Sequence, residues 1–378
     1  MQKLYWRPAH VSRIVHVLVA VIAIATLLSA ERFQVVYVQP HFEEKLEAAR
    51  RMQSGIDVLR SYRTRNVAAI DSEVDPTNSG IIGFSSSTLT TSSGSLRAKR
   101  TTANPNWAAV LIELLRRAGV ERGDLIAVGV SGSFPALNLA AFAAADVLEL
   151  EVVSISSAGA SSWGANIPGL SWLDMETILW KAEIISQRSV AASLGGARDR
   201  ALGVSAAGKR RLREAIERNG QTFLETNSEE SSIETRMDTY ARHAGGRRFA
   251  AYVNAGGSLV SIGPKSVKRL YRPGLNLKPH PRGTGIDSVM MRFLTDGVPV
   301  INLSKVVPLA ERFGLPVEPV ELPPVGEGTV FEKREHSRPL VAGLLVFLLL
   351  ALYGLLKLGL GARIVAMSGT GRKIERSV

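Results

Sequence analysis

The chain has 378 residues, 46% of them apolar, and a formal net charge of +12 at pH 7. It contains no cysteine, which excludes disulfide bonds, thiolate zinc sites and a cysteine nucleophile. No two histidines have the spacing of a metalloprotease motif, so a zinc hydrolase is not expected and the sequence predicts no cofactor.

Two windows of the chain are apolar along their whole length. Residues 14–30 and 340–356 carry no formal charge, and with their flanks each approaches the roughly 20 residues that a membrane-spanning helix needs. A cleaved signal peptide is the alternative for the first window. Leu28 is too large for the small residue expected before a cut after Ala30, which favours an uncleaved anchor. We therefore predict that both windows span a membrane.

The charges that flank these windows predict their orientation. The basic residues beyond their outer ends are Lys3, Arg7, Arg13, Lys357, Arg363, Arg372, Lys373 and Arg376. Because such residues stay in the cytoplasm, both ends of the chain are expected there and residues 31–338 outside. The sequence thus predicts a two-pass protein of a bacterial cytoplasmic (inner) membrane.

The net charge is less extreme once the two ends are set aside. They carry eight basic residues and one acidic residue, which leaves +5 on the remainder of the chain. A mildly basic body is not expected to bind nucleic acid, although a weak attraction for anionic polymers is compatible with it.

A helix is predicted immediately after the first window. Apolar residues recur there at helical spacing, at Phe42, Leu46, Ala49, Met52, Ile56, Leu59 and Tyr62. This amphipathic helix is interpreted as the first helix of the outer domain, with a stalk or a dimer contact as alternatives. Residues 85–104 follow, rich in Ser and Thr and ending with Arg97, Lys99 and Arg100. We expect a solvated loop there, in preference to a basic loop that meets an anionic ligand.

The middle of the chain alternates helical and strand patterns. A helical stripe at 107–118 is followed by an apolar run at 125–130, an apolar helix at 134–145 and a second apolar run at 150–156. Short connections between such elements predict parallel βαβ packing. The capping box of Ser171 and Asp174 predicts the start of a helix that runs to about residue 185. Further helices are predicted at 206–218, 229–243 and 286–294, and strands at 249–254 and 298–303. Pro299 indicates that the last strand lies near an edge of the sheet.

The predicted fold is α/β, with a parallel, Rossmann-like sheet and flanking helices, outside the membrane and bracketed by two transmembrane helices. The expected organisation is a cytoplasmic tail (1–10), a transmembrane helix (11–30), a juxtamembrane amphipathic helix (31–70), an extracytoplasmic α/β domain (71–315), a Pro/Gly-rich return segment (316–338), a transmembrane helix (339–360) and a basic cytoplasmic tail (361–378).

Small residues follow three of the predicted strands. Ligands of open α/β sheets bind at the carboxyl ends of the strands, where small residues let backbone N–H groups approach an anion. The candidate ligand-binding residues are Gly129, Gly132, Ser133, Ser157, Gly159, Asn254, Gly256, Gly257 and, from a later loop, Arg282. A carboxylate-rich or phosphate-bearing ligand would suit this rim. Ordinary tight turns are the alternative for each of them.

Ser131 stands at a strand-to-helix turn, as the nucleophile of a serine hydrolase does. Ser133 replaces the last glycine of the G-x-S-x-G pattern, so the match is incomplete. His280 is the better-placed candidate base, with Asp287 or Asp75 as its orienting carboxylate. A structural or pocket-lining histidine is the preferred alternative to this triad.

Several segments together resemble the membrane protein encoded with poly-γ-glutamate synthesis genes, the poly-gamma-glutamate system protein. They are 75–77, 79–83, 129–138, 156–166, 245–257 and 280–302. The two spans around an outer body match as well, so the resemblance covers nearly the whole chain. It implies a role in capsule polymer synthesis, export or anchoring, beside an ATP-dependent poly-γ-glutamate ligase and its small membrane partner. It supplies no catalytic residues.

Three hypotheses follow for the function. The first is a non-enzymatic accessory component of polyglutamate synthesis and export, whose outer domain contacts the anionic polymer or the synthase. The second is an extracytoplasmic serine hydrolase or transferase that cuts or anchors the polymer with Ser131 and His280. The third is a non-catalytic scaffold for the synthase complex.

Overall fold

The computed structural model describes residues 13–283 and 285–357. The chain forms two compact units, one made of Met1–Val38 with Lys333–Val378 and the other of Gln39–Glu332. The two tails predicted to be cytoplasmic, 1–10 and 361–378, lie outside the described residues.

The helices of the described residues are α1 (Arg13–Arg32), α2 (Phe42–Asn66), α3 (Leu96–Thr102), α4 (Trp107–Arg117), α5 (Pro135–Val147), α6 (Trp172–Lys181), α7 (Ala206–Arg218), α8 (Glu229–Ala244), α9 (Leu259–Ile262), α10 (Lys265–Lys268), α11 (Val289–Thr295), α12 (Val306–Arg312) and α13 (Arg338–Lys357). Short 3₁₀ turns occur at Ala197–Asp199 and Pro281–Gly283.

The strands are β1 (Gln34–Val38), β2 (Thr90–Ser92), β3 (Leu125–Ser131), β4 (Glu151–Ser157), β5 (Ala160–Ser161), β6 (Asn166–Ile167), β7 (Leu170–Ser171), β8 (Ala191–Ser193), β9 (Thr222–Phe223), β10 (Ala251–Ala255), β11 (Gly274–Asn276), β12 (Val300–Asn302) and β13 (Glu332–His336).

The first unit contains two helices that are long and apolar enough to cross a membrane. Their most apolar windows, Val15–Arg32 in α1 and Arg338–Leu355 in α13, have mean hydropathies of 1.8 and 2.1. Large apolar side chains on both helices are exposed, for example Leu27 and Leu350. The unit also contains the two-stranded β1–β13 sheet, which the sequence patterns did not indicate.

The second unit is built on a seven-stranded, mostly parallel sheet. Its strand order is β11-β12-β10-β3-β4-β8-β9. Neighbouring strands are parallel except at β11, which pairs antiparallel with β12. From β3 the chain passes through α5 to β4 on one side, and later returns through β10 on the other. The direction of winding therefore reverses between β3 and β10.

Helices cover both faces of the central strands. Ile126 and Val128 of β3 point into one apolar cluster, shared with α2, α4 and α5, whereas Leu125 and Ala127 point into the other, shared with α8 and α11. This alternation follows from the two-residue period of a strand, and burial on both faces explains why β3 reads as a continuous apolar run. The predicted α/β class and its mostly parallel sheet are thus confirmed.

Most of the predicted elements are found, with informative exceptions. The strands at β3 and β4, the helices α5, α7 and α8, and the capping box of Ser171 and Asp174 are confirmed. The 85–104 segment was wrongly expected to be a solvated loop, because it contains β2 and the partly buried α3. β12 lies near an edge of the sheet, as predicted, because only β11 is outside it.

A buried carboxyl lies between α6 and the sheet. The side chain of Glu176 is fully buried, and its Oε1 accepts hydrogen bonds from the Ser189 amide at 3.1 Å and the Ser189 hydroxyl at 2.7 Å. Ser189 in turn lies 2.7 Å from the hydroxyl of Ser156 on β4. Burial raises the pKa of Glu176 to about 7, because the charged form loses its hydration, and the Ser189 hydrogen bonds oppose this shift.

This raised pKa predicts a specific loss of stability with rising pH. The folded state holds a proton on Glu176 that the unfolded chain releases above its ordinary pKa of 4.5. The contribution of Glu176 to stability is therefore greatest below that value and falls, by roughly 3 kcal/mol, as the pH rises toward 7. Glu176→Gln should remove this part of the pH dependence, measured by thermal unfolding of the detergent-solubilised full chain. Glu217→Gln, at an exposed glutamate on α7, is the control. Identical pH profiles for wild type and Glu176→Gln would contradict the assignment.

Candidate functional site

A cleft of about 490 Å³ opens at the carboxyl ends of the central strands. Its walls come from the ends of β3, β4 and β10, from the 91–95 segment before α3, and from the loop that follows β8. It includes the point between β3 and β10 where the winding of the sheet reverses. In open α/β sheets this crevice is the usual ligand site, because the loops on its two sides diverge there.

The polar lining of the cleft is basic and rich in hydroxyl groups. Lys99, Lys268 and Arg198 line it, together with serines from several loops, and no aspartate or glutamate is among the described residues of the lining. Arg198 is mostly exposed and lies 3.5 Å from Glu229. A cleft with cationic and hydroxyl donors and no carboxylate favours an anionic ligand.

Lys99 is the most unusual of these side chains. It projects from α3, whose N-cap residue Ser95 accepts a hydrogen bond from the Ala98 amide, and the whole residue is only 3% exposed. Its Nζ donates to Ser161 Oγ at 2.9 Å and to the carbonyl oxygen of Ser133. The amine also lies 3.7 Å from the centroid of the Phe134 ring.

The surroundings of Lys99 lower the pKa of its amine. Burial lowers its pKa from 10.5 to about 7, and none of the ion pairs found among the described residues involves it. A carbonyl, a hydroxyl and an aromatic face stabilise an ammonium less than water does. The amine therefore loses its proton far more readily than that of an ordinary, hydrated lysine.

Lys268, on the opposite side of the cleft, is half-buried. Its Nζ donates to the carbonyl oxygen of Gly257, at the turn that follows β10. Burial and then the neighbouring charge of Lys265 lower its pKa. The two lysines therefore place donors on both sides of the β3–β10 crevice.

Two glycines of the cleft lining let other parts of the chain pack closely against the backbone. A Cβ on Gly159 would lie 2.4 Å from Cγ2 of Thr91, and one on Gly129 would lie 2.4 Å from the hydroxyl oxygen of Tyr252. These two glycines were predicted to let a ligand approach the backbone, but here they let other parts of the chain approach it. Gly257 differs, since a Cβ there would meet Nζ of Lys268 at 3.9 Å and nothing nearer.

A buried ion pair supports the cleft from behind. Arg236 of α8 and Asp199 are both nearly inaccessible to solvent, and their side chains lie 2.9 Å apart. Arg236 also donates to the hydroxyl of Ser157 at 3.2 Å, and so fixes a residue that lines the cleft.

The cleft contains most of the predicted ligand-binding residues. Those that line it are Gly129, Ser133, Ser157, Gly159, Gly256 and Gly257, and Ser131 lies among them. Gly132 and Asn254 lie beside the cleft, and both donate hydrogen bonds to backbone carbonyl oxygens. The Gly132 amide donates to the Ser157 carbonyl oxygen at 3.0 Å, and Asn254 Nδ2 donates to the Gly256 carbonyl oxygen at 2.7 Å. Arg282 is exposed and does not line the cleft.

The four candidates for the three positions of the predicted triad are engaged with other partners. Ser131 Oγ donates to the Ala255 carbonyl oxygen at 3.4 Å, and the His280 ring packs against Tyr271 and accepts the Arg282 amide at 3.2 Å. Within the described chain, none of these contacts joins Ser131 to His280.

The two candidate orienting carboxylates are also satisfied locally. Asp287 pairs with Arg292 at 2.6 Å. Asp75 is buried in its own turn, where it accepts hydrogen bonds from Thr77, Ser79 and Gly80. Each carboxylate is therefore engaged by an ion pair or hydrogen bonds within its own segment of the chain.

The sequence interpretation did not select Lys99, Lys268, Arg198 or Ser161 as site residues. Lys99 was noted only at the basic end of the 85–104 segment, and Ser161 was not singled out. Their partners in the cleft lie far away in the chain, so local patterns carry little signal for them.

Comparison of the chain with protein-family models, with characterised proteins and with solved structures finds no match.

Proposed function

We propose that this chain is an accessory membrane component of poly-γ-glutamate synthesis or export, and that its cleft binds the anionic polymer. The observation that carries this proposal is the lining of the cleft: Lys99, Lys268 and Arg198 face it without any carboxylate from the described residues. The sequence resemblance to the poly-gamma-glutamate system protein is the second support.

The chemistry of the polymer matches the donors of the cleft. Each γ-linked glutamate unit carries a free α-carboxylate and a secondary amide. Lysine amines are natural partners for the carboxylates, while serine hydroxyls such as that of Ser133 can bond to either group. A polymer with one carboxylate per unit would therefore offer a carboxylate to each of the two lysines.

The location that we propose follows from the two apolar helices. α1 and α13 would anchor the chain in the cytoplasmic membrane, with the basic ends inside and the α/β body outside. The body would there receive polymer from the ligase and its small membrane partner.

Binding of a γ-linked oligoglutamate tests the polymer contact. The full chain in detergent should bind a fluorescently labelled oligomer, and Lys268→Ala should weaken binding about 10-fold, because a charge-assisted hydrogen bond is lost. Fluorescence anisotropy at low and high salt measures both the affinity and its electrostatic part. Lys181→Ala, at an exposed lysine on α6 away from the cleft, is the matched control and should bind as wild type does. Equal weakening by both substitutions, or no binding by wild type, would refute the polymer contact.

Cysteine labelling tests the topology without background, because the natural chain has no cysteine. A membrane-impermeant maleimide should label Lys181→Cys in intact spheroplasts, since this position lies on the body. It should label Ser368→Cys, in the basic C-terminal tail, only after lysis. The reverse pattern would place the body in the cytoplasm and remove the proposed location.

A further inference from the structure

Ser161 and Lys99 form a direct contact inside the cleft. The amine of Lys99 lies 2.9 Å from Ser161 Oγ, and both residues line the cavity although both are largely buried. A serine hydroxyl next to a lysine amine is the arrangement that serves as nucleophile and base in the serine–lysine variants of acyl-transfer enzymes.

We propose that Ser161 and Lys99 are a nucleophile–base pair that attacks an amide bond of an acidic peptide-like chain bound in the cleft. The choice of a γ-glutamyl amide as the substrate rests on the proposed function, whereas the reactive pair itself does not.

The charged groups around Lys99 leave its amine free to act as a base. On the same helix, Arg97 and Arg100 are directed to Glu318, each at 3.5 Å. From the other walls of the cleft, the charged side chains are those of Lys268 and Arg198. Burial without a carboxylate lowers the pKa of Lys99 to about 7, so that the amine is neutral in a large fraction of the molecules at physiological pH.

The hydrogen bonds of the neutral amine fit this role. The carbonyl oxygen of Ser133 and the face of the Phe134 ring can take its two N–H groups. Its lone pair is then left for the proton of Ser161 Oγ. The amine is thereby oriented before a substrate enters.

Among Ser131, Ser133, Ser157 and Ser161, hydrogen-bond partners favour Ser161 as the nucleophile. Ser131 Oγ donates to a backbone carbonyl oxygen, and Ser157 Oγ accepts from Arg236. Ser133 Oγ accepts the amide of Ser161 at 3.1 Å, which holds Ser161 in place. The pairing of β5 with β2 fixes the backbone of Ser161 from the other side.

Acyl transfer also needs a donor for the developing oxyanion, and the Gly94 backbone is the candidate. A Cβ on Gly94 would lie 2.6 Å from the Ser162 carbonyl oxygen and 2.9 Å from Ser161 Oγ, so the backbone there passes close to the nucleophile. Among the hydrogen bonds of the described residues, none uses the amides of Ser93 or Gly94 as donors. Ser93 and Gly94 both line the cleft, and in the proposed reaction one of their amides donates to the developing oxyanion.

The proposed step conserves atoms and charge. Lys99 Nζ takes the proton of Ser161 Oγ while the oxygen adds to the amide carbonyl carbon, giving a tetrahedral oxyanion. The C–N bond then breaks, and the leaving amine takes the proton from Lys99. The acyl group on Ser161 passes either to water, which cuts the chain, or to an amine, which transfers it.

The experiment combines cleavage of a γ-linked oligoglutamate with labelling by an alkyl fluorophosphonate, followed by mass spectrometry. At oligomer concentrations well below saturation, wild type in detergent should cleave the oligomer at a rate that rises as the pH passes through about 7, the pKa of Lys99 in the free cleft. Labelling of Ser161 should show the same pH dependence. Ser161→Ala, Lys99→Met and Lys99→Arg should each lower cleavage about 100-fold or more, and Ser161→Ala should still bind the oligomer. Ser54→Ala and Lys181→Met, at exposed positions outside the cleft, are the matched controls.

The two proposals fail in different ways. Wild type that binds the oligomer but neither cleaves it nor is labelled overturns the reactive pair and leaves the binding function intact. Label on Ser131, or full cleavage by Ser161→Ala, also overturns the pair. Labelling of Ser161 with the predicted pH dependence, without binding of the oligomer, supports the pair and refutes the polymer as its substrate. Thermal unfolding of each variant shows that a lost activity is not a lost fold.

Discussion

The burial of the Lys99 amine without a carboxylate is the constraint on which the cleft depends. An ammonium in that position loses its hydration and gains a carbonyl, a hydroxyl and an aromatic face in return. The folded chain can relieve this cost in two ways: the amine loses its proton, or an anion enters the cleft and pairs with it. The first makes Lys99 a base and the second makes it a receptor for carboxylates, so one buried group links both proposals.

The fold places this group by joining segments that are distant in the sequence. The reversal of winding between β3 and β10 opens the crevice, and the β2–β5 pairing brings α3 against the end of β4. Glycines at 129 and 159 allow the layers beneath to close, and the buried pair of Arg236 and Asp199 braces the side next to Ser157. The cleft is thus a product of the sheet topology rather than of any single loop.

The strong local patterns predicted the scaffold well. The run that became β3 is apolar because it is buried on both faces, and α5 is apolar because it packs between the sheet and α2. Such patterns lie in consecutive residues, so they predict strands and helices without knowledge of the tertiary fold. Short strands such as β8, β9 and β11 carry two or three residues each, too few for a period to show.

The site was predicted in part, and for a physical reason. The turns after β3, β4 and β10 are fixed by local chain reversals, and their small residues do line the cleft. The role of Lys99 depends on burial against Phe134 and Ser161, which only the tertiary fold creates. His280 and Asp75 were predicted by residue type as a base and its orienting carboxylate, but each makes hydrogen bonds with neighbours in its own segment. Residue type therefore suggested candidates, and long-range packing selected among them.

The titration of the Lys99 side chain tests this account most directly. Lysine labelled with ¹³C at Cε reports the charge of each amine by NMR, and Lys99→Arg assigns the signal in the detergent-solubilised full chain. The account predicts a pKa of about 7 for Lys99, raised when a γ-linked oligoglutamate is added, because a nearby carboxylate favours the charged form. Titration at the ordinary lysine value of 10.5, unchanged by the oligomer, would show that the amine is hydrated and that the cleft neither holds a base nor receives the polymer there.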